Sequence, residues 1–349
     1  MSRSIEVNLN TNSSLATVFN LQSLDVSDST ASVFELVNLT ILTSIICFLG
    51  IPLNFLNIVV FLKQGMTSTV NISLLALSIT DLINILLIEW VCISSYTFWS
   101  NSQDIDILPR EISYLTGGFP HGCMSRIAAW ITCYMTAERC LCIALPFKIK
   151  TLITPRLTVI VLIIIYIFSI VPLVPEYLFF KLDWKYSSQL NRLIIGLVPN
   201  LDQLHLEGVS FLSYSVMTVT SFLTVICLTL ILILQLKKMS LWRSTAQGSL
   251  KPSKSLTQKD QMAIRTVLVV ACVLIITFTP SFIFCGVCFI VPGFALTGPL
   301  SNSYIIFISF AFLFDATNAS INTVLYCTLN RSYRETFKTL FGISSAPTA

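Results

Sequence analysis

Long runs of apolar residues, separated by short polar segments, make up most of the sequence. Seven of these runs reach roughly the 20 residues that an α-helix needs to cross the hydrocarbon core of a bilayer. The runs are continuous rather than alternating, which favours helices over the strands of a membrane barrel. The pattern therefore predicts seven membrane-spanning helices, at about residues 34–62, 70–95, 117–145, 156–180, 209–236, 264–291 and 303–327.

The segment after the seventh run has a different, amphipathic pattern. Apolar side chains recur there at helical spacing, with basic residues on another face: Leu329, Tyr333, Phe337 and Leu340. This pattern predicts a short helix lying on the membrane surface. We therefore expect an all-α membrane protein, a seven-transmembrane helix bundle with a short amphipathic eighth helix. Its parts are an extracellular N-terminal tail (1–33), the bundle (34–327), and the amphipathic helix with a short cytoplasmic tail (328–349).

The composition agrees with a chain that is mainly surrounded by lipid. Its 349 residues are 54% hydrophobic and 11% charged, whereas soluble domains are about 25% charged. The first 30 residues are polar and rich in serine and asparagine, without the apolar core of a cleavable signal peptide. We therefore expect this segment to be a tail outside the membrane.

Positive charge is distributed unevenly among the segments between the runs. If the N-terminus lies outside, fifteen of the 21 lysines and arginines fall at inner ends: Lys63, Arg139, Lys148, Lys150, Arg156, Lys237, Lys238, Arg243, Lys251, Lys254, Lys259, Arg265, Arg331, Arg334 and Lys338. This asymmetry predicts an extracellular N-terminus and a cytoplasmic C-terminus. It also explains the basic clusters by membrane topology, so we expect no nucleic-acid partner.

The outer segments have the opposite charge balance. They contain eleven acidic residues against five basic ones, and long-range electrostatic steering by this charge favours a cationic ligand. Two Asn-x-Ser/Thr sequences on the outer side, at Asn12 and Asn38, predict N-glycosylation.

Ionisable groups inside the runs are costly in a bilayer and require either a partner or a function. The third run is the least hydrophobic and contains His121, Arg126, Glu138 and Arg139, which predicts a central position in the bundle. His121 and Arg139 share a helix face about 27 Å apart, whereas Arg126 points sideways at a neighbouring helix. The alternative is that these groups pair with one another or with the backbone and merely hold helices together.

A polar stripe also runs along the seventh run. Asp315, Asn318 and Asn322 share one helix face, and Asp81 lies deep in the second run. Their oxygen atoms suit a hard cation. We expect a hydrated cluster of Asp81, Asn318 and Asn322, with or without a bound sodium ion.

Several of these residues stand in motifs that occur in the same order in a known receptor family. The motifs are GIPLNFLNIVVF with Asn54, LSITD with Asp81, ERCLCIALPF with Glu138 and Arg139, TFTP with Pro280, and NTVLY with Asn322 and Tyr326. On these motifs the chain resembles the rhodopsin-like (class A) G-protein-coupled receptors over about residues 35–340. Its substitutions resemble those of divergent invertebrate receptors of the chemosensory or peptide type.

The resemblance implies a plasma-membrane receptor that binds an extracellular small molecule or peptide and activates a heterotrimeric G protein. It implies that Glu138 restrains Arg139 in the resting state, and that activation turns Arg139 towards the G protein. The other expected switch residues are Asn322, Tyr326 and Pro280; the ligand-binding candidates are His121, Asp315, Glu89, Phe278 and Arg126; and the ion or water site consists of Asp81, Asn54 and Asn318.

The chain departs from the family pattern at several positions. Phe278 replaces the tryptophan before the helix-six proline. Thr323 replaces the helix-seven proline, which removes a forced break in hydrogen bonding. Tyr166 stands in the fourth run, which has no tryptophan. No disulfide is expected, because Tyr114 occupies the position of its first cysteine and the outer loop at about 176–208 has no cysteine.

A multi-span transporter or channel is the competing class, because polar residues inside the runs can line an ion path. The sequence shows no inverted repeat and no glycine-rich filter loop. A retinal sensor is excluded, since the seventh run has no lysine for a Schiff base. We expect neither an enzyme nor a metal site, because the chain has two histidines and no nucleophile–base or zinc-ligand pattern.

Overall fold

Seven helices in the described part of the chain are long and apolar enough to cross a membrane, as the sequence predicts. The structure, a computed structural model, describes residues 23, 25–96, 105–145, 148–187, 191–246, 258–291, 293–295 and 298–342. The helices are α1 (Asp28–Gln64), α2 (Thr69–Ser94), α3 (Pro109–Ala144), α4 (Pro155–Phe179), α5 (Leu204–Ala246), α6 (Gln258–Ile290) and α7 (Ser301–Leu329). We call the end of the bundle near the N-terminal segment the outer end.

Most of these helices are longer than the apolar runs that predicted them. α1 begins at Asp28, where the Ser27 hydroxyl accepts a hydrogen bond from the Thr30 amide and caps the helix. α3 begins at Pro109, and α5 continues to Ala246. Hydropathy marks the part of a helix that lies in lipid, so polar turns beyond the bilayer are absent from the pattern.

α3 is central in the bundle, where it contacts α2, α4, α5 and α6. Four ionisable side chains within its apolar run are buried: His121, Arg126, Glu138 and Arg139. The low hydrophobicity of this run follows from that position, because other helices rather than lipid surround it. Tyr166 of α4 bonds to α2: its hydroxyl donates to the backbone carbonyl of Ala76 at 3.3 Å.

α1 packs closely against α7 at Gly50. A Cβ atom at this position would lie 2.2 Å from Ser320 Oγ and 3.0 Å from Ser320 Cβ, so a side chain here would require Ser320 to move. Small residues allow this close approach of helices in membranes.

Asn38 does not fit the glycosylation predicted for it. It lies in a π-helical stretch of α1 (Glu35–Thr43), is 5% exposed, and donates from Nδ2 to Ser309 Oγ of α7 at 3.3 Å. A side chain buried between two helices leaves no room for a glycan. The other predicted acceptor, Asn12, lies outside the described residues.

The loop after α4 contains an antiparallel hairpin, β1 (Phe180–Ser187) and β2 (Arg192–Pro199). The sequence of β1, FKLDWKYS, alternates apolar and polar residues as a strand does. Polar contacts with Glu111 attach this hairpin to the start of α3: the carboxylate accepts from Lys185 Nζ at 2.6 Å and from the Leu197 amide at 2.7 Å. No disulfide takes part, since all eleven cysteines carry free thiols.

Asp25 attaches the N-terminal segment to the first turn of α7. Its carboxylate accepts hydrogen bonds from the amides of Asn302 and Ser303, each at 2.9 Å, and from the Ser303 hydroxyl at 2.6 Å. Burial raises the pKa of the Asp25 carboxyl, but these hydrogen bonds lower it by more, so the pKa lies below its ordinary value of 3.8. A carboxylate at a helix N-terminus is also favoured by the helix dipole.

The contact between Asp25 and α7 is expected to be lost in acid. Because the carboxyl has a lower pKa in the folded chain, its stabilisation is present above the unfolded value of 3.8 and disappears as the pH falls through the folded pKa. Hydrogen-exchange protection of the Asn302 and Ser303 amides should follow this dependence and should be lost at neutral pH in Asp25→Ala, which has no acceptor oxygen. Asp183→Ala, which removes another outer carboxylate, is the control. Protection that persists in Asp25→Ala would contradict the prediction.

A ten-residue helix, α8 (Arg331–Leu340), follows α7. Its Tyr333 is fully buried and donates from its hydroxyl to Asn57 Oδ1 of α1 at 2.7 Å. Asn57 Nδ2 in turn donates to Thr323 Oγ1 of α7 at 2.8 Å. We call Asn57, Thr323 and Tyr333 the inner joint, because they connect three helices at the inner end. Contact of α8 with the membrane surface stays a prediction.

Candidate functional site

His121 of α3 and Asp315 of α7 meet inside the outer half of the bundle. His121 Nε2 lies 3.5 Å from Asp315 Oδ2, and both side chains are less than a tenth exposed. The imidazole also stacks on Phe312, with 4.6 Å between the ring centres. The structure thus brings together two of the five ligand-binding candidates.

Three further polar side chains, none of them among the predicted candidates, surround this pair. Asn84 Oδ1 of α2 lies 2.7 Å from His121 Nδ1. Ser125 Oγ donates to Asp315 Oδ2 at 3.2 Å, and Ser281 Oγ of α6 donates to Asp315 Oδ1 at 3.3 Å. We call His121, Asn84, Ser125, Ser281 and Asp315 the outer polar cluster. It links four helices, so a molecule that displaces one member changes the packing of all four.

Helical spacing alone would have identified two of these additional residues. Asn84 follows Asp81 by three positions, and Ser125 follows His121 by four, so each shares a helix face with a predicted residue. Ser281 has no such signal, because its relation to Asp315 arises only when α6 packs on α7.

Arg126 leaves α3 sideways, as its position on the helix predicts. Its guanidinium lies over the ring of Tyr214 in α5, 3.8 Å from the ring centre, and the residue is 8% exposed. The side chain folds back along α3 to Gly122, where a Cβ atom would lie 3.4 Å from Nη2. Stacking of this kind attracts the cation to the ring but does not neutralise its charge.

The two remaining ligand-binding candidates have other partners. Glu89 Oε1 accepts a hydrogen bond from Ser44 Oγ at 2.7 Å, which links α2 to α1. Phe278 belongs to a buried apolar group on α3, α5 and α6, with its ring centre 6.2 Å from that of Phe222. Neither residue bonds to the outer polar cluster.

Glu138 and Arg139 form a buried pair at the inner end of α3. Glu138 Oε1 accepts hydrogen bonds from Arg139 Nη2 and from Thr69 Oγ1 in the first turn of α2. The two residues are 3% and 5% exposed. Glu138 Oε2 and Arg139 Nε have no hydrogen-bond partner among the described residues. We call Glu138 and Arg139 the inner pair. Together they use only part of their hydrogen-bonding capacity.

The predicted ion or water site is only partly assembled. Asn322 Nδ2 donates to Asp81 Oδ2 at 2.7 Å, whereas Asp81 Oδ1 is buried and has no hydrogen-bond partner within the described ranges. Asn318 instead accepts a hydrogen bond from α6 at 3.1 Å, and Asn54 donates to a backbone carbonyl of α7 at 2.8 Å. The structure thus pairs Asp81 with Asn322 rather than with Asn54 or Asn318.

The other predicted switch residues lie in α6 and α7. Tyr326 is fully buried, with its ring centre 5.2 Å from that of Phe61, and its hydroxyl has no hydrogen-bond partner in the part of the chain that the structure describes. Pro280 lies inside α6, which continues on both sides of it. α7 is also continuous through Thr323, as expected for a helix without the family's proline.

Most of the chain matches a known family. Residues 41–344, which include the outer polar cluster and the inner pair, match the family model described as Serpentine type 7TM GPCR chemoreceptor Srw. No curated protein matches the chain. The finer resemblance to class A receptors stays a prediction.

Proposed function

Since the chain belongs to the Srw family of serpentine seven-transmembrane G-protein-coupled chemoreceptors, we propose that its outer polar cluster receives the signal and that its inner pair transmits it. In this proposal the protein lies in the plasma membrane with its N-terminus outside. An extracellular ligand binds beside His121, Asp315 and Arg126. The bundle then exposes Arg139 to a heterotrimeric G protein.

The buried pair of Glu138 and Arg139 is the observation that carries this proposal. Taking two charges out of water is costly even when they are paired, so such a pair is a weak way to hold helices together. It suits a switch better, because an arginine keeps its charge and offers five donors to whichever acceptor replaces the carboxylate. The unpaired Glu138 Oε2 and Arg139 Nε support this role, since they reduce the free-energy gap between closed and open arrangements.

The two sites communicate through one helix. His121 and Arg139 lie on the same face of α3, about 27 Å apart along the axis. The outer polar cluster fixes α3 against α2 and α7, and Thr69 fixes the inner pair to α2. A ligand that binds the cluster more tightly in one arrangement of these helices favours that arrangement by the difference in binding free energy. The inner pair changes with it, because it belongs to the same helix.

Seven apolar helices alone would also suit a transporter or channel, and the family assignment favours the receptor. The family is a receptor family rather than an enzyme family. We also propose that a hard cation such as sodium binds at Asp81 Oδ1, because this buried carboxylate oxygen has no partner among the described residues.

The Glu138→Gln variant tests the proposed function without a known ligand. It replaces the salt bridge to Arg139 by a hydrogen bond to an uncharged acceptor, which weakens the closed state by about 1 kcal/mol. Basal nucleotide exchange on a panel of Gα subunits should therefore rise about fivefold over the wild type. Whole-cell current without added G protein serves as the parallel measurement. A robust current together with unchanged exchange would reject the receptor mechanism.

A further inference from the structure

Arg126 is a buried cation whose hydrogen-bonding capacity is unused. The residue is more than nine-tenths buried, yet its Nε has no hydrogen-bond partner among the described residues. Within those residues the guanidinium lies against the face of the Tyr214 ring. An arginine stays charged in such a place, so the molecule bears the cost of an unpaired buried charge.

The nearest carboxylate of the site forms no salt bridge with Arg126. Both oxygens of Asp315 already accept hydrogen bonds, Oδ1 from Ser281 and Oδ2 from Ser125, and His121 lies 3.5 Å from Oδ2. No nitrogen of Arg126 comes within salt-bridge distance of Asp315. The cluster therefore satisfies its own acid and leaves the neighbouring arginine without a salt bridge among the described residues.

A second unused donor lies beside Arg126. The hydroxyl of Tyr214, whose ring lies under the guanidinium, is buried without a hydrogen-bond partner among the described residues. Buried polar groups in folded proteins are nearly always hydrogen-bonded, so an unpaired hydroxyl next to an unpaired guanidinium nitrogen indicates a place for an acceptor.

We propose that Arg126 and Tyr214 bind a carboxylate of the ligand. The inference rests on the proposed function, and it specifies the chemical class that the outer site accepts. The planar guanidinium matches a carboxylate with two parallel hydrogen bonds, and the tyrosine hydroxyl supplies a third donor. The acidic outer segments favour a cationic ligand, but the contacts around Arg126 do not support one, because this site itself contains a cation. The charge of those segments affects how fast a ligand arrives rather than which group it presents to Arg126.

Thermal unfolding of the purified receptor in lipid discs tests this inference. The probes are straight-chain carboxylates of about two to six carbons, with the matching primary amides and amines as controls. A carboxylate at about ten times its Kd should raise the Tm by roughly 2–4 °C, whereas the amides and amines should not. Stabilisation by the amines alone, or by no member of the panel, overturns the proposal.

Variants separate a binding role from a structural one. In Arg126→Met the carboxylate shift should vanish, while the unliganded Tm should equal or exceed that of the wild type, because an unpaired buried charge has been removed. Tyr214→Phe should weaken the probes about tenfold. Lys181→Met, which removes an exposed outer cation paired with Asp183, should leave the shift unchanged. A carboxylate shift that survives in Arg126→Met overturns the inference.

The basal exchange of Glu138→Gln shows which proposal has failed, because it needs no ligand. Raised exchange without a carboxylate shift refutes the carboxylate site and leaves the receptor mechanism intact. A carboxylate shift that depends on Arg126, without raised exchange, supports the binding site and refutes the mechanism.

Discussion

The Arg139→Ala variant is expected to lose nucleotide exchange on its G protein while its amount in the membrane stays near that of the wild type. The guanidinium is the group that we expect to meet the G protein, and a hydrogen bond made by a charged group contributes about 1.5–3 kcal/mol. Its loss should lower exchange by roughly 10–100-fold. The measurement is nucleotide exchange in membranes, normalised to receptor amount and made in the Glu138→Gln background, where basal activity is high enough to fall measurably.

Two comparisons make this result specific to Arg139. Arg139→Lys retains the positive charge but lacks the planar fork, so it should retain part of the exchange. Arg334→Ala removes a basic side chain of α8 that bonds to backbone carbonyls at the end of α7, and it should have little effect on exchange per receptor. Wild-type exchange in Arg139→Ala would contradict the proposed transmission through the inner pair.

The sequence predicts the fold more fully than it predicts the site. Seven helices follow from hydropathy because lipid imposes one requirement, about 20 apolar residues, on every span. The neighbours Glu138 and Arg139 are equally accessible to prediction, since both are on one helix and adjacent. The outer polar cluster is less so: Ser281 reaches Asp315 across α6 and α7, and Tyr214 reaches Arg126 across α5 and α3. Such pairs depend on how each helix is oriented about its own axis, and a single sequence does not specify that orientation.

Polar turns account for the other differences. Asn38 lies at the outer edge of the first apolar run, where the sequence does not reveal that α1 buries it against Ser309. The hairpin strand FKLDWKYS carries a period-two pattern too short to be distinguished from a loop within a long polar segment. At Thr323 the sequence does carry a signal. This residue departs from the family motif, and its hydroxyl accepts a hydrogen bond from Asn57.

The second large effect is expected at that contact, in the Asn57→Ala variant. Asn57 accepts from the Tyr333 hydroxyl and donates to Thr323, so its truncation leaves two buried hydroxyls without their partner. Each unsatisfied group costs about 1–3 kcal/mol, and we expect a total loss of roughly 2–4 kcal/mol. The Tm of the purified receptor should fall by roughly 5–10 °C.

Replacing all three residues of the inner joint tests whether the loss in Asn57→Ala comes from unsatisfied hydroxyls. In Asn57→Leu combined with Thr323→Val and Tyr333→Phe no buried hydroxyl remains, so most of the Tm should return, because apolar replacement of all partners is nearly neutral. Thr328→Val is the matched control, since that exposed hydroxyl bonds only to carbonyls of its own helix. If the triple variant is less stable than Asn57→Ala, packing rather than hydrogen bonding holds α8 to the bundle, and the hydrogen bonds of the inner joint do not connect the three helices in the way we expect.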